Sequence, residues 1–214
     1  MFSAFCLLIL INGSNFIDGL NGLLVSHTII ILLTLTKLNL IDNSIISDQS
    51  INLIIFTLIV LLLLNIFNIL MLGDSGAYLL GFFMGFIIIS SHINNPNISP
   101  YFFILLIWYP CFENLFSILR KLNRDFSPLK PDSKHLHQLV FFFLTKKFNL
   151  NLIISNNLSS AIIFFFNFLI IYISTLDPSS TIFQIKLITT SVIFYNVSYM
   201  FLFKFYRFNL ISKK

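Results

Sequence analysis

Apolar residues run along this chain in blocks of about 20, the length a helix needs to cross hydrocarbon at 1.5 Å per residue. Only 10% of the 214 residues are charged, against about a quarter in an ordinary soluble domain. A surface so poor in charge cannot be kept in water. Inside a bilayer, backbone N–H and C=O groups must be satisfied within the structure, and helices do this within one segment. The expectation is an all-α, polytopic transmembrane helical bundle forming one domain over residues 1–214.

About six full spans can be drawn, at Leu23–Leu40, Ile51–Leu72, Ala77–Ser91, Tyr101–Leu119, Asn151–Tyr172 and Ile182–Phe203, behind a partial N-terminal helix. Gly81 and Gly85, four apart, predict close packing of the third span on a neighbour. Met1–Ile11 is apolar but too short to span and lacks the basic start and cleavage site of a signal peptide. A chain that begins further upstream is therefore expected. Cys6 and Cys111 lie in apolar blocks and offer no disulfide framework.

The charges orient the spans. Arg120, Lys121, Arg124, Lys130, Lys134, Lys146 and Lys147 crowd one connection, and Lys204, Arg207, Lys213 and Lys214 follow the last span. The connections 41–50, 92–100 and 174–181 contain no Lys or Arg. By the positive-inside rule the basic side is cytoplasmic, making residues 120–147 a cytoplasmic loop in an inner-membrane protein. The net charge of +5 thus has a topological explanation and calls for no nucleic-acid partner.

Three polar motifs fall on that side. In the run NGSNFIDGLNG, Asn12, Asn15, Asp18, Gly19 and Gly22 recur at three or four and form one stripe on a helix. Such a stripe lines a wet cleft, or is a capped helix end. Asp74 and Ser75, between Gly73 and Gly76, begin a helix, where free N–H groups favour anions and a carboxylate could share a hard cation with phosphate. A simple cap would look the same. The third motif is SPLKPDSKHLHQ, residues 127–138, a loop by its two prolines. His135 and His137 share a face only on extended backbone, and beside Lys130 and Lys134 they suit a phosphorylated ligand better than zinc. A solvated basic loop is the plainer reading. Glu113, in the fourth span, is expected to pair with a nearby Lys or Arg.

In this order the three segments resemble the polyprenyl-phosphate N-acetylhexosamine-1-phosphate transferases, glycosyltransferase family 4. That superfamily includes the phospho-N-acetylmuramoyl-pentapeptide transferases. NGSNFIDGLNGL is similar to NxxNxxDGxDGL, and MLGDSGAYLLGF to FMGDxGSxxLGF. The stretch from Pro110 to Gln138 resembles P-x-x-D…R-R-L…S-P-F-x-P-D-R-x-H-x-H-H without a gap, in a form nearer the envelope-polysaccharide branch than the peptidoglycan branch.

The resemblance implies transfer of a sugar-1-phosphate from a UDP-sugar to polyprenyl phosphate, with release of UMP and with Mg²⁺ as cofactor. Asp74 would ligate the metal; Asp18, with Asn12 and Asn15, would line the catalytic cleft. Gly19, Leu20 and Asn21 would lie by the nucleotide, His135 and His137 would contact its diphosphate or the nucleotide, and Lys134 would be a further substrate-binding residue. A second copy of the chain, or a complementing N-terminal chain, is among the implied partners. The family's adjacent Asp-Asp pair is absent, Asn21 replaces an Asp, Met71 an aromatic, Ser133 an Arg, Gln138 a His and Glu113 an Asp. The chain alone is therefore expected to be inactive; an inactive remnant of the family is the first alternative and a phospho-N-acetylmuramoyl-pentapeptide transferase the second.

Overall fold

The computed structural model describes the backbone of residues 2–122 and 134–211. Among these residues the elements are α1 (Phe2–Ile17), α2 (Leu23–Lys37), α3 (Asp48–Ile66), α4 (Gly73–Asn94), α5 (Pro100–Leu106), α6 (Trp108–Leu122), α7 (Leu136–Phe148), α8 (Leu152–Ser174) and α9 (Thr181–Ile211). The helices start where the side chains dictate. Ser47 accepts from the N–H of Ser50, Ser99 from that of Tyr101 ahead of Pro100, and Asn151 from that of Ile153.

Helices α3, α4, α8 and α9 are long and apolar enough to cross a membrane, and the chain is a multi-pass membrane protein. Two expected spans differ in detail. Helix α2 has only 15 residues, about 22 Å at 1.5 Å per residue. It is buried on nearly every side, so it is a central helix with little contact with lipid. The expected span Tyr101–Leu119 is not straight: α5 and α6 meet at a bend of 74°. Pro110 lacks the N–H that would bond the Leu106 carbonyl, so the helical ladder is interrupted where the bend lies. That proline was the signal for it.

The first helix packs between α4 and α6. A Cβ on Gly13 would fall on the carbonyl of Pro110, and one on Gly81 would lie 2.8 Å from Ser14 Oγ. A Cβ on Gly85 would strike Leu7, so the close packing foreseen for Gly81 and Gly85 is made against α1. Asn114 Nδ2 donates to the carbonyl of Ile9 at 3.0 Å, a polar tie across the α1–α6 contact.

Hydrogen bonds gather the connections into two ends. At one, Asn95 Nδ2 reaches the Leu40 carbonyl (2.9 Å), Asn94 Nδ2 reaches Asp42 (3.1 Å) and Ser99 N–H reaches Pro178 (3.1 Å). At the other, the turn after α1 is held by the ends of α3 and α8. Asn21 N–H donates to Asn156 Oδ1 at 2.8 Å and Asn21 Nδ2 to Asn68 Oδ1 at 2.6 Å, while Gly22 N–H donates to Asn65 Oδ1. An apolar groove of about 750 Å³ runs from Asn21 and Gly22 between α2, α3 and α8 toward Lys37 and Thr175.

Because the atom facing Gly13 is backbone, α1 cannot accept a methyl there without moving away from α6. Gly13→Ala should cost about 1–3 kcal/mol of stability in detergent, as overpacking does. Gly73→Asn, at φ +69° with open space around it, should cost far less. Thermal unfolding of both variants beside the unaltered chain measures the difference.

Candidate active site

Helix α1 ends at Ile17, and residues 18–22 form a tight turn. Asp18 N–H still bonds the Ser14 carbonyl (3.1 Å), and the turn closes through Gly22 at φ +74°, a left-handed conformation suited to glycine. The expected polar stripe is therefore a helix face only through Asn15; Asp18, Gly19, Leu20 and Asn21 are presented by the turn.

The second motif meets the first. Asn15 Nδ2 donates to Tyr78 Oη at 3.0 Å, one helical turn beyond Asp74 at the start of α4. Asp74 itself is exposed. Burial, and then the negative field of Asp74, raise the Asp18 carboxyl to about 7. Two carboxylates that repel each other, one of them partly desolvated, form a place where a cation lowers the energy.

The third motif comes in from the other side. Residues 123–133, including Lys130 and the Pro131-Asp132 pair, lie outside the described residues. From His135 on, the expected loop is a helix: His135 caps α7 with extended backbone (φ −71°, ψ 153°), and Gln138 Oε1 accepts its N–H at 3.2 Å. Gln138, which stands where the resembling motif has a histidine, thus holds the helix start. His137 lies in the first turn of α7, yet its ring stacks on that of His135 at 5.4 Å and 11°. Extended backbone is needed only up to residue 135 for the two rings to share a face.

This pair packs on the Asp18 turn. The His135 ring lies 4.7 Å from that of Phe16. A Cβ on Gly19 would come 3.2 Å from His137 Nε2, so the glycine leaves room for the imidazole. His137 is fully buried, neither ring nitrogen has a hydrogen-bond partner, and desolvation lowers its pKa.

Glu113 corrects the expectation of a Lys or Arg partner. It is 1% exposed. Its carboxylate receives His135 Nδ1 at 3.1 Å, Leu136 N–H at 3.1 Å and Tyr109 Oη–H at 3.2 Å, with His137 Nδ1 at 3.8 Å. A carboxylate seven residues before Arg120 pointed toward that cation by sequence, but Arg120 turns to Tyr199 Oη (2.6 Å) and the Lys134 carbonyl.

Other expected residues are placed less directly. Asn12 is exposed on α1, away from the turn. The Leu20 side chain is 3% exposed and belongs to the core. The Asn21 amide is engaged by Asn68 and Asn157. Lys134 gives its carbonyl to Arg120. The asparagines at 65, 68, 156 and 157 were not singled out by sequence; their only signal was recurrence of a polar amide at helix ends.

No three His, Cys, Asp or Glu side chains among the described residues are grouped to hold a metal ion. The donor set at Asp18 and Asp74 fits an ion such as Mg²⁺, which uses one or two carboxylates and takes its other ligands from phosphates and water.

The folded Asp18 carboxyl holds its proton to a higher pH than an unfolded one. The folded state therefore binds the extra proton between about pH 4 and 7, and this group's contribution to stability declines as pH rises through that window. Asp74→Asn should lower the Asp18 midpoint only part of the way to its ordinary value, because burial is the larger cause. Carbon-13 NMR of labelled aspartate, in metal-free detergent, reads both midpoints.

No curated protein and no solved structure matches the chain. Residues 1–92 match the family described as Glycosyl transferase family 4. The histidine pair lies beyond the end of that match. The matched stretch holds α1 to α3, most of α4 and both the Asp18 and Asp74 turns.

Proposed function

We propose that the chain carries part of the active site of a transferase that moves a sugar-1-phosphate from a UDP-sugar to polyprenyl phosphate. The sugar is an N-acetylhexosamine by the motif resemblance, and the product belongs to cell-envelope glycan synthesis. The observation that carries the reading is the meeting of three distant segments at one end of the bundle: the Asp18 turn, the start of α4 at Asp74, and the His135–His137 pair.

In this reaction an oxygen of the lipid phosphate forms a bond to the sugar-bearing phosphorus, and the bond from that phosphorus to the bridging oxygen breaks. UMP leaves with the bridging oxygen. Both reactants are anions, so charge screening and in-line positioning supply most of the acceleration. Mg²⁺ held by Asp74 with Asp18 would supply the screening. The chain's own part is to hold the diphosphate: Gly19 leaves the turn open beside His137, and Asn15 orients Tyr78 next to Asp74. The groove that begins at Asn21 and Gly22 is lined mostly by apolar side chains and suits a lipid co-substrate. A cytoplasmic placement of the basic side of the protein at the inner membrane, which the Lys and Arg distribution supports, would give the site access to cytoplasmic nucleotide.

An inactive remnant of the same family is the second reading, favoured by the absence of two adjacent aspartates and by the structural use of the Asn21 amide. UMP release from a panel of UDP-sugars, in membranes holding the full chain with polyprenyl phosphate and Mg²⁺, separates the two. Lipid-dependent release supports the transferase. Its absence, unless a complementing N-terminal chain restores it, supports the remnant.

In the active system Asp74→Asn should abolish Mg²⁺-dependent release, by about 100-fold or more, and leave membrane insertion intact. His135→Ala should raise the KM for the UDP-sugar. Near-normal turnover in the first variant removes the metal role, and unchanged KM and kcat in the second remove the nucleotide role.

A further inference from the structure

We propose that Glu113 is the positioning residue of this site: its carboxylate holds His135 and His137 as one stacked pair, with His137 turned to the Asp18 turn, to receive the diphosphate of a nucleotide-sugar. The ligand class rests on the function proposed above; the clamp stands on geometry.

A buried carboxylate persists only where donors compensate its lost hydration. Both oxygens of Glu113 are used. Oε1 accepts the Leu136 N–H (3.1 Å) and the Tyr109 hydroxyl (3.2 Å), and Oε2 faces His135 Nδ1 (3.1 Å). The Leu136 N–H is the first free donor of α7, so the same carboxylate fixes where that helix begins. A proton shared at Nδ1 leaves His135 Nε2 as its free nitrogen and fixes the ring orientation.

Stacking completes the restraint. The His135 ring is held between Phe16 (4.7 Å) and His137 (5.4 Å). His137 is fully buried, its Nδ1 lies 3.8 Å from Glu113 Oε1, and its Nε2 lacks a hydrogen-bond partner and faces the space that the absent Gly19 side chain leaves. A buried polar group without a partner carries a desolvation cost that an incoming acceptor removes. Glu113 touches no reacting atom in this arrangement and acts through the imidazoles.

The test compares Glu113→Gln with Glu113→Asp in the full chain in detergent. UDP affinity is measured by calorimetry, and hydrogen–deuterium exchange at the imidazole C2 of His135 and His137 by mass spectrometry. Glu113→Gln should weaken UDP binding at least 10-fold and speed exchange at both histidines at least 5-fold. Glu113→Asp should restore both to within about 3-fold at a similar thermal midpoint, which purely structural damage would not do. Unchanged histidine exchange in Glu113→Gln overturns the clamp whatever UDP does. If the unaltered chain binds no UDP while exchange responds as expected, the clamp stands and the nucleotide reading fails. Should Glu113→Gln not accumulate, Tyr109→Phe removes one donor to the same carboxylate and should speed His135 exchange at least 2-fold; an unchanged rate overturns the proposal.

Discussion

The close approach of α1 to α4 and α6 is the contact on which the candidate site depends. Lipid gives helices no hydrophobic reason to associate, so packing quality and a few cross-helix hydrogen bonds must suffice. Gly13 against the Pro110 carbonyl, Gly81 against Ser14, and Gly85 against Leu7 let the backbones come near enough for that packing. Asn114 then reaches Ile9, and Asn15 reaches Tyr78. If α1 moved outward by the width of a side chain, the Asp18 turn would leave both Asp74 and the histidine pair.

The acidic groups at this end are treated in opposite ways. Glu113 is fully buried and surrounded by donors, so its charge is stabilised within the protein. Asp18 is partly buried and faces another carboxylate, so its charge is left in conflict. The first arrangement orders neighbouring side chains; the second is relieved by a cation from outside. His137, with Nδ1 3.8 Å from Glu113 and Nε2 beside Gly19, links them across the Gly19 turn.

The membrane-spanning class and most of the spans were legible from local pattern, because hydropathy and glycine spacing are properties of neighbours in sequence. The bend at Ile107 was hidden by unbroken hydropathy, although Pro110 marked it. Glu113 was misassigned because the nearest cation in sequence, Arg120, is turned toward α9. The asparagine ties of the Asn21 turn join residues 47 and 135 positions apart. No periodicity within one helix can report such a pairing.

Sequence alone determined that this chain lies in a bilayer as helices, since apolar blocks and unpaired backbone groups leave no other solution. It also carried the resemblance to glycosyl transferase family 4, through motifs whose residues are contiguous. Tertiary structure alone decided that Glu113 serves the histidines, that Leu20 faces the core and that Asn21 is a tie between helix ends. Each outcome depends on which side chain arrives across a helix interface, and that is set by backbone approach and competing hydrogen-bond partners far away in the chain.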